Sequence, residues 1–202
     1  MAMLVSLLAA AALQAAAPPL APPIELDPPQ GEGAAPTGAP DPLPERLNQR
    51  LDALGAAEDA QAAAPIADQV LSLWRQMGGP TAALLLQRAS EAREAGDLDT
   101  AARQYFHLRA LEPELSEAWV GSAEIAAARS DWGFALEALE RAVAIEPRRF
   151  DAYLLLGRAL EQADEPEAAL AAYEAALEIH PRLEPARQAQ ARLERRLSGR
   201  AL

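Results

Sequence analysis

Apolar residues recur at helical spacing from residue 43 onward. Leu43, Leu47, Leu51 and Leu54 lie at i, i+4, i+8 and i+11, on one face of a helix that Gly55 ends. A second helix is expected over about 59–77, with Ile66, Val70, Trp74 and Met77 on its apolar face. Pro65 falls inside it and predicts a kink or restart, because proline has no amide hydrogen to give to the preceding turn. Gly78-Gly79-Pro80 stops the pattern, and Thr81 is placed to cap the next helix. Three helix pairs are then predicted: 82–94 with 98–111, 115–129 with 132–145, and 149–162 with 166–179. A last helical stretch runs from Leu183 to Leu197, with Ala186, Ala189, Leu193 and Leu197 along one side.

The pairs repeat one another. Pro113, Pro147 and Pro181 are each 34 residues apart, and so are Ala101, Ala135 and Ala169. An acidic series at Asp97, Asp131 and Glu165 keeps the same step. A fixed period of this length marks an array of stacked units. Each series has a physical task. The carboxylate opens the second helix of a pair, where free amides and the dipole favour negative charge. The alanine lets the two helices approach. The proline comes after the second helix, where the chain must turn.

The pattern resembles the tetratricopeptide repeat, whose unit is 34 residues with W-x2-L-G-x2-Y, then A-x3-F, then P. The third unit reads Tyr153-x2-Leu156-Gly157-x2-Leu160, then Ala169-x3-Tyr173, then Pro181. The second reads Trp119-x2-Ser122-Ala123-x2-Ala126, Ala135-x3-Leu139 and Pro147. The first reads Leu85-x2-Arg88-Ala89-x2-Ala92, Ala101-x3-Tyr105 and Pro113, with Arg88 suggesting a half-exposed position. The resemblance covers about residues 82–181. It implies an all-α fold, a right-handed α-α superhelix of stacked hairpins, with units at 82–115, 116–149 and 150–182 and a capping helix at 183–198. The pair at 43–79 is expected to be a degenerate repeat or a cap. The whole also resembles exported repeat proteins of GC-rich proteobacteria.

Composition narrows this reading. Half of the 202 residues are apolar but only 4% are aromatic, so the core is built of Ala and Leu. That length holds one ordinary domain or one short solenoid. The net charge of −12 disfavours nucleic acid, which needs the opposite sign. Residues 41–181 carry 25 acids and 12 arginines, whereas 182–202 carry six arginines and two glutamates. That basic end is either a solvated helix terminus or a small docking surface for an acidic partner or lipid. No cysteine is present, which excludes disulfides, thiolate sites and lipidation on Cys.

The N-terminal stretch has its own character. Residues 1–17 form an apolar run too short for a comfortable membrane span, and their length suits a signal peptide. Pro18 directly after Ala17 hinders cleavage there, and the run carries no basic side chain. A periplasmic or secreted protein with no integral membrane span in the mature chain is expected. A cytoplasmic or weakly membrane-anchored one is the alternative. Residues 18–42 read as a Pro-rich disordered linker, with ten prolines across 18–44.

Candidate chemistry is sparse. The two histidines, His107 and His180, are about two repeats apart and have no ligand spacing around them. Gly78-Gly79-Pro80 is a helix stop rather than a phosphate loop, and Glu58-Asp59 and Asp164-Glu165 fall in turns. No catalytic residue, metal or cofactor is expected, and the chain does not read as an enzyme. Trp119, Tyr153, Tyr105 and Tyr173 fall on packing positions.

The family resemblance implies that the first helix of each unit lines a concave groove. In this register the groove positions are Ala83, Leu86, Ser90 and Arg93, then Glu117, Val120, Glu124 and Ala127, then Asp151, Leu154, Arg158 and Glu161. Apolar Leu86, Val120 and Leu154 surrounded by charges suit a peptide with an apolar anchor and some basic residues. Alternatively these are ordinary solvated positions. Some family members grip a C-terminal carboxylate with Lys, Asn and Arg. Those positions hold Leu86, Ser90, Gly121, Asp151 and Leu155 here, so that role is not expected. The function implied is non-catalytic binding of a protein or peptide partner. The alternative is a structural or self-associating component of a cell-envelope assembly. The partner and the oligomeric state stay open.

Overall fold

The computed structural model describes residues 42–200, so the segments read as a signal peptide and as most of the linker lie outside the described residues. Among the described residues there are nine helices and no strand. They are α1 (Leu43–Gly55), α2 (Ala60–Gln76), α3 (Pro80–Glu94), α4 (Leu98–Leu111), α5 (Ser116–Ala128), α6 (Trp132–Ile145), α7 (Phe150–Gln162), α8 (Pro166–Ile179) and α9 (Glu184–Arg200). No helix of the described residues is long and apolar enough to cross a membrane.

The pairs α3–α4, α5–α6 and α7–α8 form the repeating units of a solenoid. Ala101, Ala135 and Ala169 are fully buried in them, which leaves no room for a larger side chain. Within each pair the chain turns through a residue with positive φ: Gly96 at 75°, Ser130 at 61° and Asp164 at 57°. These three are also 34 apart. Asp97 and Asp131 cap the second helix of their pairs, accepting from Thr100 N at 2.9 Å and Phe134 N at 3.2 Å. Glu165 holds the same position without a side-chain cap, because its longer side chain does not turn back and Pro166 takes the first helical place. After the last unit, Ala186, Ala189 and Leu193 of α9 close the core around Tyr173 and Ala176.

Tyr105 and Tyr173 are buried, as their register predicts, but Trp119 and Tyr153 are only half-buried. Trp119 donates from Nε1 to the Pro113 carbonyl at 2.8 Å. Its ring and that of Phe134 lie 5.0 and 4.9 Å from the Arg109 guanidinium, so the aromatic pair is occupied by an internal cation.

Several sequence expectations change. Helix α2 does not restart at Pro65; it runs as one helix from Ala60 to Gln76, with the proline in its second turn. Met77 is not on the buried face; it is the C-cap of α2 and 42% exposed. Thr81 is not a cap, because α3 starts two residues earlier than expected, with Gly79 as N-cap and Pro80 as its first residue. Arg88 is exposed, not half-exposed. With Glu91 it occupies positions where the later units bury Ser122 and Ile125. The outer face of α3 is thus polar, as suits the end of a stack.

The α1–α2 hairpin does not extend the stack. It lies lengthwise along the loops that join one unit to the next. At one end Gly79 N donates to Glu112 at 3.0 Å. In the middle Trp74 packs on Phe150 at 5.7 Å, and Arg148 donates to Asn48 at 2.9 Å. At the far end Arg182 donates to the Ala57 carbonyl at 3.2 Å. Leu47, Leu51, Leu54, Val70 and Trp74 share one apolar cluster with Phe150, Ile179 and Leu183.

Candidate functional site

Helices α3, α5 and α7 present a common face, and α2 passes over it. Between them lies a polar chamber of about 240 Å³. Leu86, Ser90 and Arg93 come from α3; Glu117, Val120 and Glu124 from α5; Asp151 from α7. Seven of the ten candidate positions therefore meet in one place. The repeat explains why: a 34-residue step returns the chain to the same side of the next hairpin.

The apolar members differ from expectation. Leu86 is 9% exposed and Val120 3%, so they belong to the repeat core and form the floor of the chamber. Arg93 pairs with Glu124 at 2.8 Å across α3 and α5. Burial raises the Glu124 pKa above the ordinary carboxylate value, with Arg93 acting against it. Burial, with the Glu124 charge adding to it, pushes the Tyr105 phenol up to about 12.

The three remaining candidates stand apart from the chamber. Leu154 is half-buried against the cluster of α7, α8 and α9. Arg158 is exposed beside a small cleft floored by Ala123, Leu139 and Leu155. Glu161 is engaged internally: it accepts from the Tyr173 hydroxyl at 2.7 Å and from Arg192 at 2.6 Å.

Four lining residues were not anticipated: Leu71, Arg75, Tyr105 and Arg149. Arg149 is the centre of the site. Its side chain is 1% exposed. It donates twice to Asp151, at 3.1 and 2.7 Å, once to Glu117 at 2.9 Å, and once to the Ser116 hydroxyl at 3.1 Å. The guanidinium also lies 4.5 Å from the Trp74 ring. Burial opposes its charge, but Asp151 and Glu117 outweigh that and hold its pKa above the ordinary arginine value. A signal was present in the sequence. Arg149 falls in register with Leu115 and Leu183, so a charge stands where the other units place an apolar residue.

Among the described residues no group of three or more His, Asp or Glu side chains is arranged to hold a metal. The chamber contains paired ions, three apolar residues and a phenol. It is suited to holding a side chain or a short segment.

A family model for the tetratricopeptide repeat matches residues 150–193. A TPR repeat-containing protein of Rhizobium etli is 27% identical over 155 residues, covering 77% of this chain and 76% of the relative. The fold matches the first TPR of Spaghetti (RPAP3), solved bound to an HSP90 peptide, with a TM-score of 0.58, 21% identity, and 60% of this chain and 96% of that one covered. It also matches the TPR2B domain of yeast Sti1, from its pHsp70 complex, with a TM-score of 0.55, 18% identity, and coverage of 58% and 99%. Three units in phase and their stacked hairpins give this chain the tetratricopeptide-repeat fold, and residues 150–193 match the family model of that repeat.

Proposed function

We propose that the chain is a non-catalytic interaction module that binds a protein or peptide partner on the face formed by α3, α5 and α7. One observation carries this reading: seven residues spaced across three repeats converge on one chamber that the chain leaves unfilled. The two solved structures named above were determined with peptide or chaperone ligands, which supports the same reading by analogy. The apolar N-terminal run at 1–17 supports a periplasmic or secreted setting.

The test is crosslinking capture from the native host. Leu86 and Val120 are too buried for charged substitutions to report on binding alone. Ser90→Trp with Arg93→Glu fills the chamber and reverses a rim charge at half-buried and exposed positions. Capture of a specific protein by the wild type, and its loss in the double variant with helicity unchanged, is the expected result. Equal capture by both sinks the reading. Fusion of residues 1–42 to a reporter active only in the periplasm tests the setting; a silent reporter removes it.

A further inference from the structure

We infer that the α1–α2 hairpin is an internal occupant of the partner-binding face, and that the external partner is an amphipathic helix with an aromatic residue followed by a basic one, which replaces α2. This rests on the reading that the face of α3, α5 and α7 binds a partner.

An occupant is already seated there. Trp74 of α2 lies on the Arg149 guanidinium and against Phe150, and the next residue, Arg75, lines the chamber. The receptor for that pair is built without α2. Arg149 is held by Glu117, Asp151 and Ser116, all from the repeats, so it keeps its position when α2 leaves. Preorganisation of this kind lowers the ordering cost of binding.

The internal fit is incomplete. The chamber beneath α2 stays open at about 240 Å³, and Trp74 Nε1 is buried with no hydrogen-bond partner. A helix that filled the chamber and gave that kind of donor an acceptor would bind better. Charge gives the second half of the motif. Without Arg75 the walls hold Glu117, Glu124 and Asp151 against Arg93 and Arg149, one negative charge in excess. The place after the aromatic therefore calls for a cation. Outside the apolar contact, few polar ties hold the hairpin: Asn48 to Arg148, the Ala57 carbonyl to Arg182, and Gly79 N to Glu112.

The probe is a fluorescent synthetic peptide of residues 59–77, read by anisotropy against the full chain. Because the native chain has no cysteine, Asn48→Cys with Arg148→Cys can be joined specifically by a short bismaleimide. A Leu47→Asp chain loosens the hairpin, since Leu47 is buried only in the cluster the hairpin shares with the repeats. The expected result is at least tenfold tighter binding to Leu47→Asp than to wild type, and no binding to the crosslinked chain. The Trp74→Ala and Arg75→Glu peptides should each bind about tenfold more weakly. Where hydrogen exchange shows that Leu47→Asp also opens residues 98–193, Leu51→Ala replaces it as the milder change.

Four results would overturn the inference. The crosslinked chain binds as well as wild type; a loosened chain with intact repeats does not bind; both peptide variants bind like the parent; or light scattering shows the loosened chain pairing with a second copy. The two readings fail differently. Undiminished capture of the host partner by the crosslinked chain, with capture still lost in Ser90→Trp/Arg93→Glu, removes the internal occupant and leaves the binding face standing.

Discussion

Two residues show how single positions are constrained. Gly96 turns the chain between α3 and α4 at φ 75°, and a Cβ added there meets nothing within 4 Å. A Gly96→Ala change therefore loses no contact, and only the left-handed backbone opposes it. It should destabilise the first unit by about 1–2 kcal/mol, read as a shift in the urea midpoint at constant slope. An unchanged midpoint would mean that the turn relaxes. Arg149 is the opposite case, a position defined by its contacts. Arg149→Met leaves Glu117 and Asp151 facing each other beside an apolar ring. Breaking a buried pair in this way typically costs about 3–5 kcal/mol. A loss below about 1 kcal/mol in thermal unfolding would show that the carboxylates rehydrate freely. Gly96 is legible in the sequence as the glycine between the predicted helices 82–94 and 98–111. Arg149 was legible only as a break in the apolar register, and its neighbour Trp74 lies 75 positions away, beyond what any local pattern reports.

At the scale of elements, the sequence specified the helices and their pairing. It did so because a 3.6-residue periodicity, a capping carboxylate and a positive-φ turn are all local. The hairpin's resting place was not local. Leu47, Leu51 and Leu54 announce an apolar face, but the face they cover is Phe150, Ile179 and Leu183. His180 sits at this junction, 5% exposed, edge-on to Phe150 at 5.2 Å, with no partner for Nδ1. Burial lowers its pKa below the ordinary value of 6.5. The native state thus holds His180 neutral, while the unfolded chain takes up the proton first. Its contribution is complete above the ordinary histidine pKa and is lost as the pH falls below it. Stability measured from pH 8 downward should decline through this window, and His180→Phe should flatten that decline. An identical slope in the variant would assign it to other groups.

At the scale of the whole molecule, charge and topology act separately. The net charge of −12 is the excess of acids left after exposed pairs, such as Arg129 with Asp99 and Arg196 with Asp164, have cancelled. Each surface pair contributes only about 0–1 kcal/mol. The summed field of the excess acids acts instead on encounter, so association with a basic partner should slow steeply as salt rises in stopped-flow measurements. A salt-independent rate would end that reading. The sequence by itself determined the repeat period, the helical units, the buried alanines, and the burial of Tyr105 and Tyr173. All of these come from residue spacing, which the chain carries in one dimension. Only the tertiary structure decided that Leu86 and Val120 are floor rather than surface, that Glu161 is engaged internally, and that the first hairpin lies along the repeats instead of extending them. Those outcomes depend on which distant apolar surface each face meets. An amphipathic pattern states that a face will be buried; packing between residues far apart in the chain selects what buries it.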